Sequence, residues 1–163
     1  MAEGCFSSTF IRLKGNLNAV ININIKVKRM ESTLKYVLYA ISLVALVTGL
    51  NVLIGGASAI PGALGGVEAT VDNELRFFSI FWIAYGAFCF WVAKNIKDQS
   101  VFIPVIAMVF FLGGVGRLMS MLLVGPPASI LIPAMILELV LPMVIYALYW
   151  KLSKAPAKRV QAS

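Results

Sequence analysis

Apolar residues in this chain gather into four long runs, separated by breaks that are polar, or rich in glycine and proline. The first run, residues 36–54, would extend about 28 Å as a helix, enough to cross the hydrocarbon core of a bilayer. Residues 74–93, 101–124 and 128–150 form three further runs of the same kind. Each break carries stop signals for a helix. Residues 55–73 contain Pro61 and several glycines, 94–100 are short and polar, and Gly125-Pro126-Pro127 closes the third run. Pro104 falls in the first turn of the third run, where its missing N–H does no harm. The pattern predicts an all-α fold: an integral membrane four-helix bundle over residues 30–151, followed by a basic tail at 152–163.

Residues 1–29 follow another rule. Leu17, Ala19, Ile21, Ile23, Ile25 and Val27 alternate with Asn18, Asn22, Asn24, Lys26 and Lys28, a period of two. A single strand has no partner to pair with here, and the segment lacks the apolar core of a signal peptide. It reads as an N-terminal extension, disordered or a mis-called start, with Met30 opening the ordinary beginning Met30-Glu31-Ser32-Thr33-Leu34-Lys35.

Composition supports the membrane reading. Hydrophobic residues make up 60% of the chain and charged residues only 13%, about half the charged share of a soluble domain. The formal charge of +7 does not point to nucleic acid, because the basic residues sit at the ends of apolar runs, where membrane topology places them. There are no histidines, which removes the commonest zinc ligand and the commonest general base. Cys5 and Cys89 belong to no CxxC pattern, so neither a metal site, a cofactor nor a disulfide is expected. The glycines of 55–73 match neither GxxxxGK[ST] nor GxGxxG opening a helix.

Basic residues also predict sidedness. Lys26, Lys28, Arg29 and Lys35 precede the first run, Lys94 and Lys97 lie in the second break, and Lys151, Lys154, Lys158 and Arg159 follow the fourth run. The first break and the start of the second run instead carry Glu68, Asp72 and Glu74 against Arg76, and the third break carries no charge. Both termini are therefore expected in the cytoplasm. Tyr36, Tyr39, Trp91, Tyr149 and Trp150 would form the aromatic belt at the same face.

Two charges lie inside apolar runs: Arg117 in the third and Glu138 in the fourth. Counted from the outer helix ends they stand about 10 Å and about 14 Å deep at the helical rise, a difference an arginine side chain can span. Asn51, Glu74 and Arg76 fall in the same outer half, so five polar residues converge in one layer. An unpaired charge near a helix centre costs about 2.5–3.5 kcal/mol on insertion scales, so such groups pair inside a bundle or line a wet cavity. Gly113, Gly114 and Gly116 with Ser120, and Gly86 on the second helix, are expected to let helices approach closely. Pro142, four residues after Glu138, leaves the Glu138 carbonyl without its helical donor.

These residues allow several roles. Arg117 and Glu138 could lock two helices together, with Glu74 and Arg76 a surface pair. They could instead line a pocket for a small amphipathic molecule, quinone- or lipid-like, beside the aromatic second helix. A proton path is the third reading, though a single carboxylate without a relay makes a thin wire. The absence of a nucleophile–base pair leans against an enzyme. An enzyme would have to use Glu138 as acid or base and Arg117 as an anion clamp.

Particular stretches resemble a known family. Asn73-Glu74-Leu75-Arg76-Phe77-Phe78, Tyr85-Gly86, the run from Phe111 through Gly113-Gly114-Val115-Gly116-Arg117 to Ser120, Gly125-Pro126-Pro127 and Leu137-Glu138-Leu139 are similar to small bacterial four-helix membrane proteins grouped as domain of unknown function 4345. The resemblance covers about residues 34–151, and its motif positions correspond to Glu74, Arg76, Gly86, Gly113, Arg117, Gly125 and Glu138. It implies a four-helix fold and an inner-membrane location, and it assigns no activity. Size and helix count also resemble the DoxX-type membrane proteins, at the level of fold only. The expectation is an inner-membrane protein acting as an accessory or structural subunit beside other membrane proteins. The alternatives are a binder or carrier of a small amphipathic molecule, and a membrane-embedded enzyme.

Overall fold

The computed structural model describes residues 3–63 and 67–154, and among these there is no strand. Helix α1 runs over Glu3–Gly55, α2 over Ala69–Lys94, α3 over Ile103–Leu123 and α4 over Leu131–Ser153. A 3-10 turn at Gly56–Ala59 follows α1, and short helical turns at Ile96–Gln99 and Ser100–Phe102 join α2 to α3. All four long helices are long and apolar enough to cross a membrane.

Two boundaries differ from the sequence expectation. Residues 69–73, expected to be loop, form the first turn of α2. From Glu3 onward, the N-terminal extension is helix rather than disordered chain, continuous with the first spanning segment. The physical reason is nucleation. Starting a helix is costly, but extending one that a membrane segment has already formed adds a hydrogen bond for each residue ordered. The alternating apolar residues then spiral round the helix instead of forming one face, and Ile21, Ile23 and Ile25 are all exposed.

The helices pack as two antiparallel hairpins, α1 with α2 and α3 with α4. In the first, Gly86 meets α1 so closely that a β-carbon there would stand 3.1 Å from Ala45 Cβ, Leu46 Cγ and the Ser42 carbonyl oxygen. Gly49 makes the reciprocal approach, its β-carbon position lying 2.7 Å from Ile83 Cγ1. In the second hairpin, a β-carbon on Gly114 would stand 3.0 Å from the backbone carbon of Glu138. Helices in a bilayer gain little from the hydrophobic effect, and small residues let their backbones come into van der Waals contact instead.

At the end carrying the chain termini, the two hairpins close on one another around Leu34, Leu38, Cys89, Val92, Ile103, Ile106 and Ile145. The Tyr85 hydroxyl donates to the Ile106 carbonyl at 2.9 Å, and Phe88 meets Phe102 edge to face at 5.5 Å. Outward-facing positions remain apolar: Ile54, Leu122, Leu123 and Val124 are each more than 70% exposed. In water such a surface would be an aggregation hazard, whereas lipid tails cover it without cost. The molecule is a multi-pass membrane protein built as a four-helix bundle.

Candidate functional site: a cavity between the hairpins

At the opposite end of the bundle the hairpins part. A cavity of about 570 Å³ opens between them, lined by all four helices and by the turn after α1. Its apolar walls include Val52, Ile60, Leu75, Phe78, Phe110 and Leu131. Trp82 separates it from the packed core, stacked on Tyr85 at 5.3 Å and on Phe110 at 6.5 Å. The indole is held from α1 as well: Trp82 Nε1 donates to Thr48 Oγ1 at 2.8 Å, and that hydroxyl donates to the Val44 carbonyl at 2.7 Å. Thr48 thus acts as both acceptor and donor, which aims the aromatic wall.

Arg117 and Glu138 form the charged part of the lining. Arg117 Nε lies 2.8 Å from Glu138 Oε2, an ion pair by distance. Yet Oε2 is buried and has no hydrogen bond of proper geometry, so the N–H does not point along that line. We take this as a close electrostatic contact rather than a saturated bond. The pair is asymmetric: the Glu138 side chain is 9% exposed and that of Arg117 46%. Pro142 cannot donate to the Glu138 backbone carbonyl, which adds a second acceptor with reduced partnering. The contact uses Nε, leaving the two Nη groups of Arg117 available to another acceptor.

The other residues singled out from sequence divide in two. Asn51 lines the cavity, its Nδ2 donating to the Ala59 carbonyl at 3.3 Å. Arg76 does not line it. Its Nε donates to Asp72 Oδ2 at 2.7 Å, and its Nη1 donates to the carbonyls of Leu53 at 2.7 Å and Ile54 at 3.0 Å. Asp72 Oδ1 accepts from the Ala57 N–H at 2.8 Å. Arg76 thus caps the end of α1, satisfying carbonyls that the helix itself leaves open, while Asp72 orients the guanidinium and ties down the N–H of the following turn. Gly56 makes this clamp possible with φ +60°, and a β-carbon there would run into the Asp72 carboxylate. Glu74 is exposed and lies outside both the cavity and the clamp. The five-residue layer expected from depth therefore resolves into a cavity group of Asn51, Arg117 and Glu138, a capping group containing Arg76, and an outlying Glu74.

Among the glycines, Gly86 and Gly114 stand in close contacts, but the expectation for Gly113 and Gly116 needs correction. A β-carbon at either would meet nothing within 4 Å. Gly113 instead opens onto the cavity beside Arg117. Residues one and two positions from Gly114 on a helix are turned roughly 100° and 200° away from its contact face, so only one of the three can touch α4.

The chemistry offered is recognition. An aromatic and aliphatic chamber carries at one side a guanidinium with spare donors and a buried carboxylate oxygen without an aligned donor. Among the described residues, no group of three His, Cys, Asp or Glu side chains stands close enough to hold a metal ion. No curated protein and no solved structure matches the chain significantly. A family match covers residues 33–149, which takes in most of the bundle and part of each of the four long helices, and the chain belongs to the family described as Domain of unknown function (DUF4345).

Proposed function

We propose that this protein binds a small amphipathic molecule, quinone- or lipid-like, in the cavity between its hairpins. The observation that carries the reading is the joining of an open, largely apolar chamber to an incompletely satisfied Arg117–Glu138 pair. A mere structural lock would bury and saturate both charges. Here one oxygen of Glu138 is left for a donor and the Nη groups of Arg117 for an acceptor, a combination that suits a headgroup with a carbonyl or anion beside a hydroxyl. The tail of such a molecule would lie against Trp82, Phe78 and Leu75. The positive-inside pattern supports both termini lying in the cytoplasm, which puts the cavity in the outer half of the membrane. A bacterial inner membrane is the location the family resemblance supports.

The test uses Trp82 as the reporter, in a background where Trp91 and Trp150 are replaced by Phe. Decyl-benzoquinone and a brominated fatty acid, both quenchers, are titrated into proteoliposomes. Saturable quenching by one of them, weakened at least tenfold by Gly113→Phe, is expected. A β-carbon at position 113 meets nothing within 4 Å, and the ring beyond it enters the cavity that Gly113 lines. Quenching that rises linearly, and equally in both proteins, would refute a bound occupant and favour the accessory-subunit role.

A further inference from the structure

At the end bearing the termini a second cavity, of about 600 Å³, lies between α1 and the turn after α2. Asn24, Lys28, Glu31 and Lys35 occupy successive turns on one face of α1 and supply one wall. Lys94, at the end of α2, with Asn95, Lys97 and Asp98 in the turn, supplies the other wall. Four lysines thus oppose two carboxylates, with Val27 and the buried Ile96 as apolar floor. The cavity lies where the apolar surface of the spanning helices gives out, its walls beginning at Lys35 and Lys94, next to Tyr36 and one turn beyond Trp91.

We infer that this groove is a binding site for the headgroup of an anionic phospholipid. Its position, charge and shape each contribute to the assignment. A basic pocket between spanning helices at the membrane surface matches a phosphodiester held at that depth by its acyl chains. The lysines come from two separate elements, so their ammonium groups surround a phosphate instead of lining a flat patch. Asn24 and Asn95 add neutral donors, and Glu31 and Asp98 keep the lysines from repelling one another when the site is empty. A lipid bound there would bridge α1 to the α2–α3 turn, strapping the first hairpin to the start of the second. The site is separate from the cavity at the other end and stands or falls without it.

The test is native mass spectrometry of the full chain released from bilayers of phosphatidylcholine containing one-fifth phosphatidylglycerol. The parent protein is expected to retain phosphatidylglycerol in preference to phosphatidylcholine. Each lysine near a membrane surface contributes about fivefold in affinity, so Lys28→Gln/Lys94→Gln/Lys97→Gln is expected to reduce retention about a hundredfold. A melting curve in detergent shows whether that variant stays folded. If it does not, single changes at Lys28 and at Lys97 are expected to give about fivefold each. Retention unchanged in folded variants would overturn the assignment. So would loss of retention only when Lys26, Lys151 and Lys154, which line the neighbouring groove between α1 and α4, are changed. Inorganic phosphate supplies the last arm. Displacement of the lipid by millimolar phosphate would show a soluble-anion site, whereas resistance to it marks a lipid held also by its chains.

Discussion

Gly113 and Gly114 are neighbours with opposite surroundings, and comparing Gly114→Ala with Gly113→Ala isolates the packing of α3 against α4. Each substitution gains about 1 kcal/mol of helix propensity, so that contribution cancels in the difference. At Gly113 the new methyl meets nothing within 4 Å. At Gly114 it stands 3.0 Å from the backbone carbon and the Cβ of Glu138, and from Leu139 Cδ2. The leucine can rotate away, but the backbone of α4 cannot, so the helices must separate by a few tenths of an ångström. Overpacking of this kind costs about 1–3 kcal/mol. Gly114→Ala should therefore unfold more readily than Gly113→Ala by a factor of about 5 to 150 in the equilibrium constant. The assay is reversible unfolding in mixed micelles at increasing dodecyl sulfate, followed by circular dichroism. Equal midpoints for the two variants would refute the close approach, and with it the geometry that sets Glu138 against Arg117.

The ion pair should respond unequally to its two neutralising changes. Arg117→Gln leaves a buried carboxylate without a counter-charge and is expected to cost about 2 kcal/mol, whereas Glu138→Gln leaves a half-exposed arginine and is expected to cost under about 1 kcal/mol, read in the same titration. The double swap Arg117→Glu/Glu138→Arg should restore folded yield only in part, because it moves the guanidinium from the half-exposed position of the pair to the buried one; full rescue would contradict this. At the α1 cap, Gly56→Ala must hold φ +60° and displace the Asp72 carboxylate, so a loss of at least about 1–2 kcal/mol is expected, and a neutral result would argue against the clamp. Arg76→Gln frees the Leu53 and Ile54 carbonyls, and hydrogen exchange should rise at the last turn of α1 while the α3–α4 contact stays protected.

The sequence by itself determined the four spanning helices and the matching depth of Arg117 and Glu138, for a simple reason. In a bilayer every backbone amide must be satisfied within its own segment, so a long apolar run can only be a helix. Depth along such a helix is then linear in residue number, which is how Arg117 and Glu138 could be set at one level before any contact was known. Direction around the helix axis follows less directly. Glu74 and Arg76 share a depth, yet two residues turn the helix through about 200°, which puts one at the clamp and the other outside it. Asp72 counts only as a loop charge while the helix is taken to begin at 74; with 69–73 helical, Asp72 and Arg76 form an i,i+4 pair, the signal that identifies the clamp. The period of two in the extension has no strand to pair with and predicts disorder, whereas the neighbouring spanning helix supplies a nucleus that carries the helix through it.

What only the tertiary structure decided is which surfaces meet. Gly49, Gly86 and Gly114 touch neighbouring helices, while Gly113 and Gly116, chemically identical, face open space. The parting of the hairpins at one end and their closure at the other is likewise a property of the assembled bundle. A cavity is the volume left over when four helices have each settled against their closest partner. No single helix carries the information that fixes it, because it depends on crossing angles and separations that all the contacts set together.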